Sequence, residues 1–211
     1  MTSMRNLKRF LVLVALGATA TSCGDVVRNG RAPSYLVIDS LGGIRGSATA
    51  GTASGTLTSD VITNITSPPP CTQDAPCPTI FGDAGEAVMH IALKDAGTAS
   101  APNSPTEVNA ITITRYRVDY VRADGRNTPG VDVPYGFDGA VTVTVTAGST
   151  TFGFQLVRVV AKEEAPLIQL KNSRSFITSI ARVTFFGHDQ AGNEVTATGS
   201  IQVDFGNFGD F

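Results

Sequence analysis

Valine and threonine take turns along "GAVTVTVTAG" at 139–148, with Val141, Val143 and Val145 on one side and Thr142, Thr144 and Thr146 on the other. A period of two sends successive side chains to opposite faces of a strand, so the segment reads as extended backbone with one face in a core and one in water. The same alternation predicts a strand over 86–95, where Ala87, Met89, Ile91 and Leu93 share a face and His90 and Lys94 take the other. "SYLVIDSLGG" (34–43) reads as a strand that stops at Gly42–Gly43, and Leu57 between Thr56 and Thr58 marks another over 56–63. In "NAITITRYRVDYVRADG" Ile111 and Ile113 alternate, and the apolar register then moves to Tyr116, Val118 and Tyr120. A one-residue slip reverses the faces unless a bulge absorbs it, which predicts a β-bulge near Thr114–Arg115. "TTFGFQLVRVVAKEE" continues extended through Phe152, Phe154 and Leu156. Pro166 then opens the one candidate for a short helical segment, near 166–172, because proline is preorganised for a first helical position.

The last segment, "IARVTFFGHDQAGNEVTATGSIQVDF", carries the clearest hairpin. Val183 and Phe185 alternate, "DQAGN" turns the chain, and Val195, Ala197, Gly199, Ile201, Val203 and Phe205 line one face. Gly192 suits the positive φ of such a turn, and Asp189 and Asn193 can bond back to the backbone. The hairpin resembles the final two strands of bacterial immunoglobulin-like and fibronectin III-like domains, where a D-x-A-G-N turn recurs. The resemblance implies a fold and no activity, since sandwiches of this kind host adhesins, accessory modules and spacers alike. The chain departs from antibody-type domains in having no Trp and no inter-sheet cysteine pair. The expected fold is therefore all-β, an Ig-like antiparallel β-sandwich of about seven to nine strands. It forms a single domain over 34–211, with loops at 44–55, 64–85 and 96–106. No repeat of a solenoid or propeller kind is visible.

Composition agrees with many turns: 22 glycines and 11 prolines in 211 residues. Charge changes the picture at the start of the chain. Arg5, Lys8 and Arg9 precede the apolar run "FLVLVAL" (10–16), the pattern of an export signal over 1–22 whose apolar part is too short for a permanent span. Without those three cations, 13 basic side chains face 18 acidic ones, a net of −5. Such a body offers no electrostatic footprint for nucleic acid or anionic headgroups, so neither is an expected partner.

The run ends in "ATSC", Ala20 to Cys23, which resembles a bacterial lipobox, although Ala20 stands where that pattern more often has Leu. The resemblance implies that Cys23 is acylated and becomes the new N-terminus, with 23–33 as a lipidated tether. The other reading is an ordinary signal peptide cut near Ala20. Each buried CH₂ of an acyl chain is worth about 0.8 kcal/mol, so more than one chain gives the stable anchor that the body lacks. Asp25 is not the residue directly after the cysteine, which favours the outer membrane where the envelope has one. With Cys23 lipidated, Cys71 and Cys77 remain, with five residues between them, among the prolines of "SPPPCTQDAPCPT". In an exported chain they are expected to form a disulfide. So short a ring constrains the unfolded chain by about 2 kcal/mol. The spacing fits neither a zinc site nor a C-x-x-C redox pair.

Catalytic motifs are not found: there is no G-x-S-x-G or S-x-x-K, and the cysteines are accounted for. His90 and His188 are expected to face solvent. The loop "RADGRNTPGVDVPYGFDG" (122–139) gathers Asp124, Asn127, Asp132 and Asp138, oxygen donors that could meet around calcium, although Asp-Gly and Pro-Gly are also turn chemistry. Tyr135 and Phe137 in the same loop are candidate stacking platforms for a sugar or a partner protein. "FGNFGDF" (205–211) is an apolar tail whose Phe205 and Phe208 could instead cap the end of the sandwich. The expectation is a non-enzymatic envelope lipoprotein without a cofactor, binding or scaffolding an envelope protein or glycan. The alternative is a carbohydrate-binding or calcium-stabilised surface module.

Overall fold

The computed structural model describes residues 30–47 and 51–208. Cys23 and the leader lie outside the described residues, as does Phe211 at the end of the tail. The chain runs β1 (Ser34–Ile44), β2 (Thr56–Asp60), β3 (Thr63–Ile65), β4 (Cys77–Thr79), β5 (Asp83–Leu93), β6 (Gly97–Thr98) and β7 (Ala101–Pro102). It continues through β8 (Ile111–Val121), β9 (Phe137–Val145), β10 (Thr150–Val157), a short helix α1 (Val159–Glu163), β11 (Ile177–Asp189) and β12 (Glu194–Gly206). Two sheets form an all-β sandwich, one of three strands in the order β1-β5-β10 and one of five in the order β2-β12-β11-β8-β9. With β1, β5, β8, β9, β10, β11 and β12 lettered A, B, C, C′, E, F and G, the sheets read A-B-E and G-F-C-C′. That is the strand order of immunoglobulin-like sandwiches.

The inner faces follow the alternation. Ala87, Met89 and Ile91 of β5 meet Ile113, Tyr116 and Val118 of β8 and Val183 and Phe185 of β11, all buried. Phe185 is fully buried, with its ring 5.4 Å from Phe154 and 5.6 Å from Phe152 in edge-on packing. A Cβ at Gly85 would collide with the Phe154 ring, so the bare backbone there is what lets the ring lie across β5. Tyr120 keeps its hydroxyl inside by donating to Leu156 O at 2.6 Å, and burial pushes that phenol well above its usual range.

The bulge falls where the pattern breaks. Both neighbours of β8 skip Thr114: Phe186 pairs with Arg115 and Gly187 with Ile113, and on β9 the register shifts between Ile113 and Arg115. Tyr116 thereby returns to the core face that Ile113 left. The β11–β12 hairpin also forms as expected. Gly192 has φ +79, and Asp189 Oδ1 accepts from the N–H of Ala191 at 2.9 Å and of Asn193 at 2.8 Å, while Oδ2 accepts from Asn193 Nδ2 at 2.8 Å. Burial alone would push the Asp189 carboxyl up, but the Asn193 and Ala191 donors win and hold it below the usual carboxylate range. A depressed folded pKa gives stability that is present above about pH 4 and lost as pH falls through the folded value. Asp189→Ala is expected to cost about 1–3 kcal/mol by leaving these donors unpaired. Urea unfolding at neutral pH and at pH 3 checks it: the gap between variant and wild type should narrow in acid.

Several expectations need correction. The sandwich is not wholly antiparallel: β2 runs parallel to β12, Thr56 opposite Gln202 through Asp60 opposite Gly206. β1 belongs to the first sheet, and Gly43 hands the chain across through an antiparallel bridge to Ser54, so β2 arrives at the second sheet pointing the same way as the last strand. β1 runs on to Ile44 rather than stopping at Gly42–Gly43. The loop at 64–85 contains the β3–β4 pair, and β5 begins at Asp83; the loop at 96–106 folds into the small β6–β7 hairpin. β10 stops at Val157, and α1 occupies part of what reads as continued strand. The 3-10 turn after Pro166 spans Leu167–Leu170, inside the expected helical segment. Another 3-10 turn covers Glu107–Asn109.

Candidate functional site

The loop at 122–139 spreads its acids among arginines. Asp124 Oδ2 accepts from Arg122 at 2.7 Å and Arg126 at 2.9 Å, and these two guanidinium groups lower its pKa to about 2. Asp138 is bound by Arg115 at 2.6 Å and Arg117 at 2.7 Å, and its pKa is also lowered, chiefly by the Arg115 hydrogen bond. Asp132 accepts from Thr128 N–H at 3.2 Å, and Asn127 Oδ1 accepts from Arg122 N–H at 2.6 Å, both closing turns. The three carboxylates do not converge, and no group of three or more metal-ligating side chains occurs among the described residues. Tyr135 is 55% exposed and stands as a surface ring. Phe137 is not a platform. As the first residue of β9 it takes an inward position, buried against Tyr116, with the Arg158 guanidinium 4.3 Å above its ring.

The two histidines sit in different sheets. His90 on β5 contacts Asp39 at 2.9 Å, both half exposed, across a register shift of β1 that swings Asp39 beside it. His188 on β11 bonds through Nδ1 with Asp189 O at 3.1 Å. Cys71 and Cys77 form the expected disulfide, with Cα atoms 5.3 Å apart. Phe205 is a core residue, fully buried, while Phe208 lies half-buried over Gly206 with its N–H on Asp60 Oδ1.

Two arrangements of charge stand out. On the outer face of the five-stranded sheet, Arg115 lies 3.8 Å over the Phe186 ring and shares Asp138 with Arg117, which also grips Asp119 at 2.9 Å. Beside this row opens a shallow depression of about 670 Å³ lined by Arg115, Phe186, His188 and Glu194. The second arrangement is buried at one end of the sandwich. Asp83 opens β5 opposite Val157, and α1 folds back so that Lys162 Nζ comes within 2.8 Å of Asp83 Oδ2. Ser59 of β2 donates its hydroxyl to the same oxygen at 2.6 Å, and Gly46 N–H donates to Oδ1 at 2.8 Å. Asp60, next along β2, is bound by Arg45 at 2.6 Å. Lys162, Asp83, Ser59 and Asp60 are each no more than 1% exposed. Burial drives the Lys162 pKa down while the Asp83 charge opposes it.

The cluster leaves no mark in the sequence, since its members lie far apart in the chain. Lys162 follows two valines in "VVAKE", and no spacing signals that the valines face out and the lysine in. No helix among the described residues is long and apolar enough to cross a membrane. The chain matches no protein-family model, and no curated protein or solved structure matches it either.

Proposed function

We propose that this protein is a non-enzymatic lipoprotein of the cell envelope, anchored through acylated Cys23 and working by binding or scaffolding through its β-sandwich. The observation that carries the reading is the division of the cysteines. Two of the three are joined to each other, as oxidising compartments allow, which leaves Cys23 alone behind the charged and apolar leader. Eleven positions separate Cys23 from the start of β1, so an extended tether reaches about 35–40 Å and keeps the domain close to the bilayer. Binding is supported by the outer row of Arg115, Arg117 and Phe186 and by the depression beside it, which offer charge, a ring face and a concave floor to a partner protein.

Expression of the full chain with metabolic acyl labelling tests the anchor. Wild type is expected to take up label and enter the detergent phase, and Cys23→Ala to stay aqueous and unlabelled. An unlabelled wild type whose N-terminus begins downstream of Cys23 would end the reading. A second reading, a carbohydrate-binding module, is favoured by the exposed ring of Tyr135 at the rim of the 122–139 loop. Glycan titration that is lost in Tyr135→Ala would select it. Calcium stabilisation, by contrast, requires Arg122, Arg126, Arg115 and Arg117 to give up their carboxylates.

A further inference from the structure

The helix α1 is amphipathic the wrong way round. Val159 and Val160 are 37% and 54% exposed, while Lys162 on the same five-residue helix is fully buried. A lone ammonium is among the costliest groups to take out of water, so something specific must hold it there. Its neighbour is Asp83, the first residue of β5. Nζ lies 2.8 Å from Oδ2, in a pair whose two side chains are both shut off from water. An amine held this close to a carboxyl oxygen, with water excluded, is also within reach of the carboxyl carbon.

We propose that Lys162 Nζ and Asp83 Cγ condense into an intramolecular amide, a covalent cross-link between α1 and the first residue of β5. The step balances within the chain. The Nζ–Cγ bond forms and the Cγ–Oδ2 bond breaks. The ammonium gives up two protons, both of which leave on Oδ2 as water, and one positive and one negative charge disappear together. Nothing is oxidised or reduced, and no co-reactant is needed.

The surrounding groups suit each part of that step. Desolvation depresses the Lys162 pKa, which raises the share of free amine that can act as nucleophile. Gly46 N–H points at Oδ1, the oxygen that carries negative charge in the tetrahedral intermediate, and acts as a preorganised oxyanion donor. The Ser59 hydroxyl, 2.6 Å from Oδ2, lies where a proton must be passed to the departing oxygen. Asp60 and Arg45 bear on Lys162 with opposite sign, Asp60 favouring the ammonium and Arg45 the amine.

In open water an amine and a carboxylate do not condense spontaneously. Here they are held together, and well-oriented intramolecular partners reach effective concentrations of roughly 10⁵–10⁸ M. The product is also a neutral amide, so the desolvation penalty of two buried charges vanishes when it forms.

Peptide mapping of the full chain tests the cross-link, using folded protein after prolonged incubation at neutral pH. Trypsin has no site between Arg45 and Lys94, so Asp83 falls in peptide 46–94, and a modified Lys162 resists cleavage and stays within 159–171. The expected result is these two peptides joined, with a mass one water below their sum. Lys162→Arg and Asp83→Ala should each give separate peptides of full mass. Free peptide ending at Lys162 in the wild type, with intact mass showing no water lost, would overturn the proposal. Both outcomes are read on the wild type alone, so they hold even if a variant fails to fold.

Discussion

Replacing Lys162 by Met is expected to lower the free energy of unfolding by about 3–5 kcal/mol, the range found when one partner of a buried ion pair is removed. Asp83 would remain 1% exposed, with only the Ser59 hydroxyl and Gly46 N–H to meet a full carboxylate. Against a total stability of about 5–15 kcal/mol that is a large share, and the shift should be plain in a guanidinium titration. A double variant, Lys162→Met with Asp83→Leu, should recover most of the loss, since an apolar pair of similar volume carries no desolvation penalty. A single-variant cost below about 1 kcal/mol would mean that water reaches the pair and screens it. Where the amide has formed, wild type gains more than the ion pair alone. Closing a ring of about 80 residues constrains the unfolded chain by roughly 4–5 kcal/mol on the loop-length relation. Wild type would then exceed even the double variant by a margin of that order.

The second large effect is expected at the centre of the sandwich. Phe185→Ala should cost about 3–5 kcal/mol, the range for truncating a buried phenylalanine. The ring is fully buried and meets Phe154, Phe152 and Tyr116, the last at 6.4 Å between centroids, so rings of both sheets lose a partner at once. Edge-on aromatic pairs add about 0.5–1.5 kcal/mol each beyond their buried area, which places this position at the upper end of the range. Phe176→Ala is the internal control: its ring is 65% exposed, and the change should stay within about 0.5 kcal/mol. Equal losses at the two positions would show that the core is not organised around Phe185.

Features with local causes were legible in the chain. The alternation of Val141, Val143 and Val145 with threonines gives β9, and the slip between Ile113 and Tyr116 gives the bulge at Thr114. The turn at 189–193 and the Cys71–Cys77 bridge likewise depend on residues close in sequence. What stayed hidden is set by distant partners. A period of two reports which face of a strand is buried but not which strand lies beside it, so the parallel pairing of β2 with β12 left no trace in 56–60. Lys162 misleads for the same reason: beside exposed valines a lysine reads as solvated, and only Asp83, far back in the chain, makes the interior its place. In the 122–139 loop Arg122 and Arg126 stand beside Asp124 in the sequence, but the arginines that hold Asp138 were not visible. Arg115 and Arg117 come from β8, and strand pairing alone brings them to Asp138.

The side-by-side course of β2 and β12 bears on how the molecule answers tension. If its leading end is held while its trailing end is drawn away, the two strands are dragged lengthwise in opposite senses. The rungs from Thr56–Gln202 to Asp60–Gly206 then lie across the pull and share it, where a hairpin pulled open at its mouth would surrender them one at a time. The join between the earliest and latest parts of the second sheet is thus a shear clasp, oriented to resist lengthwise tension between those two strands.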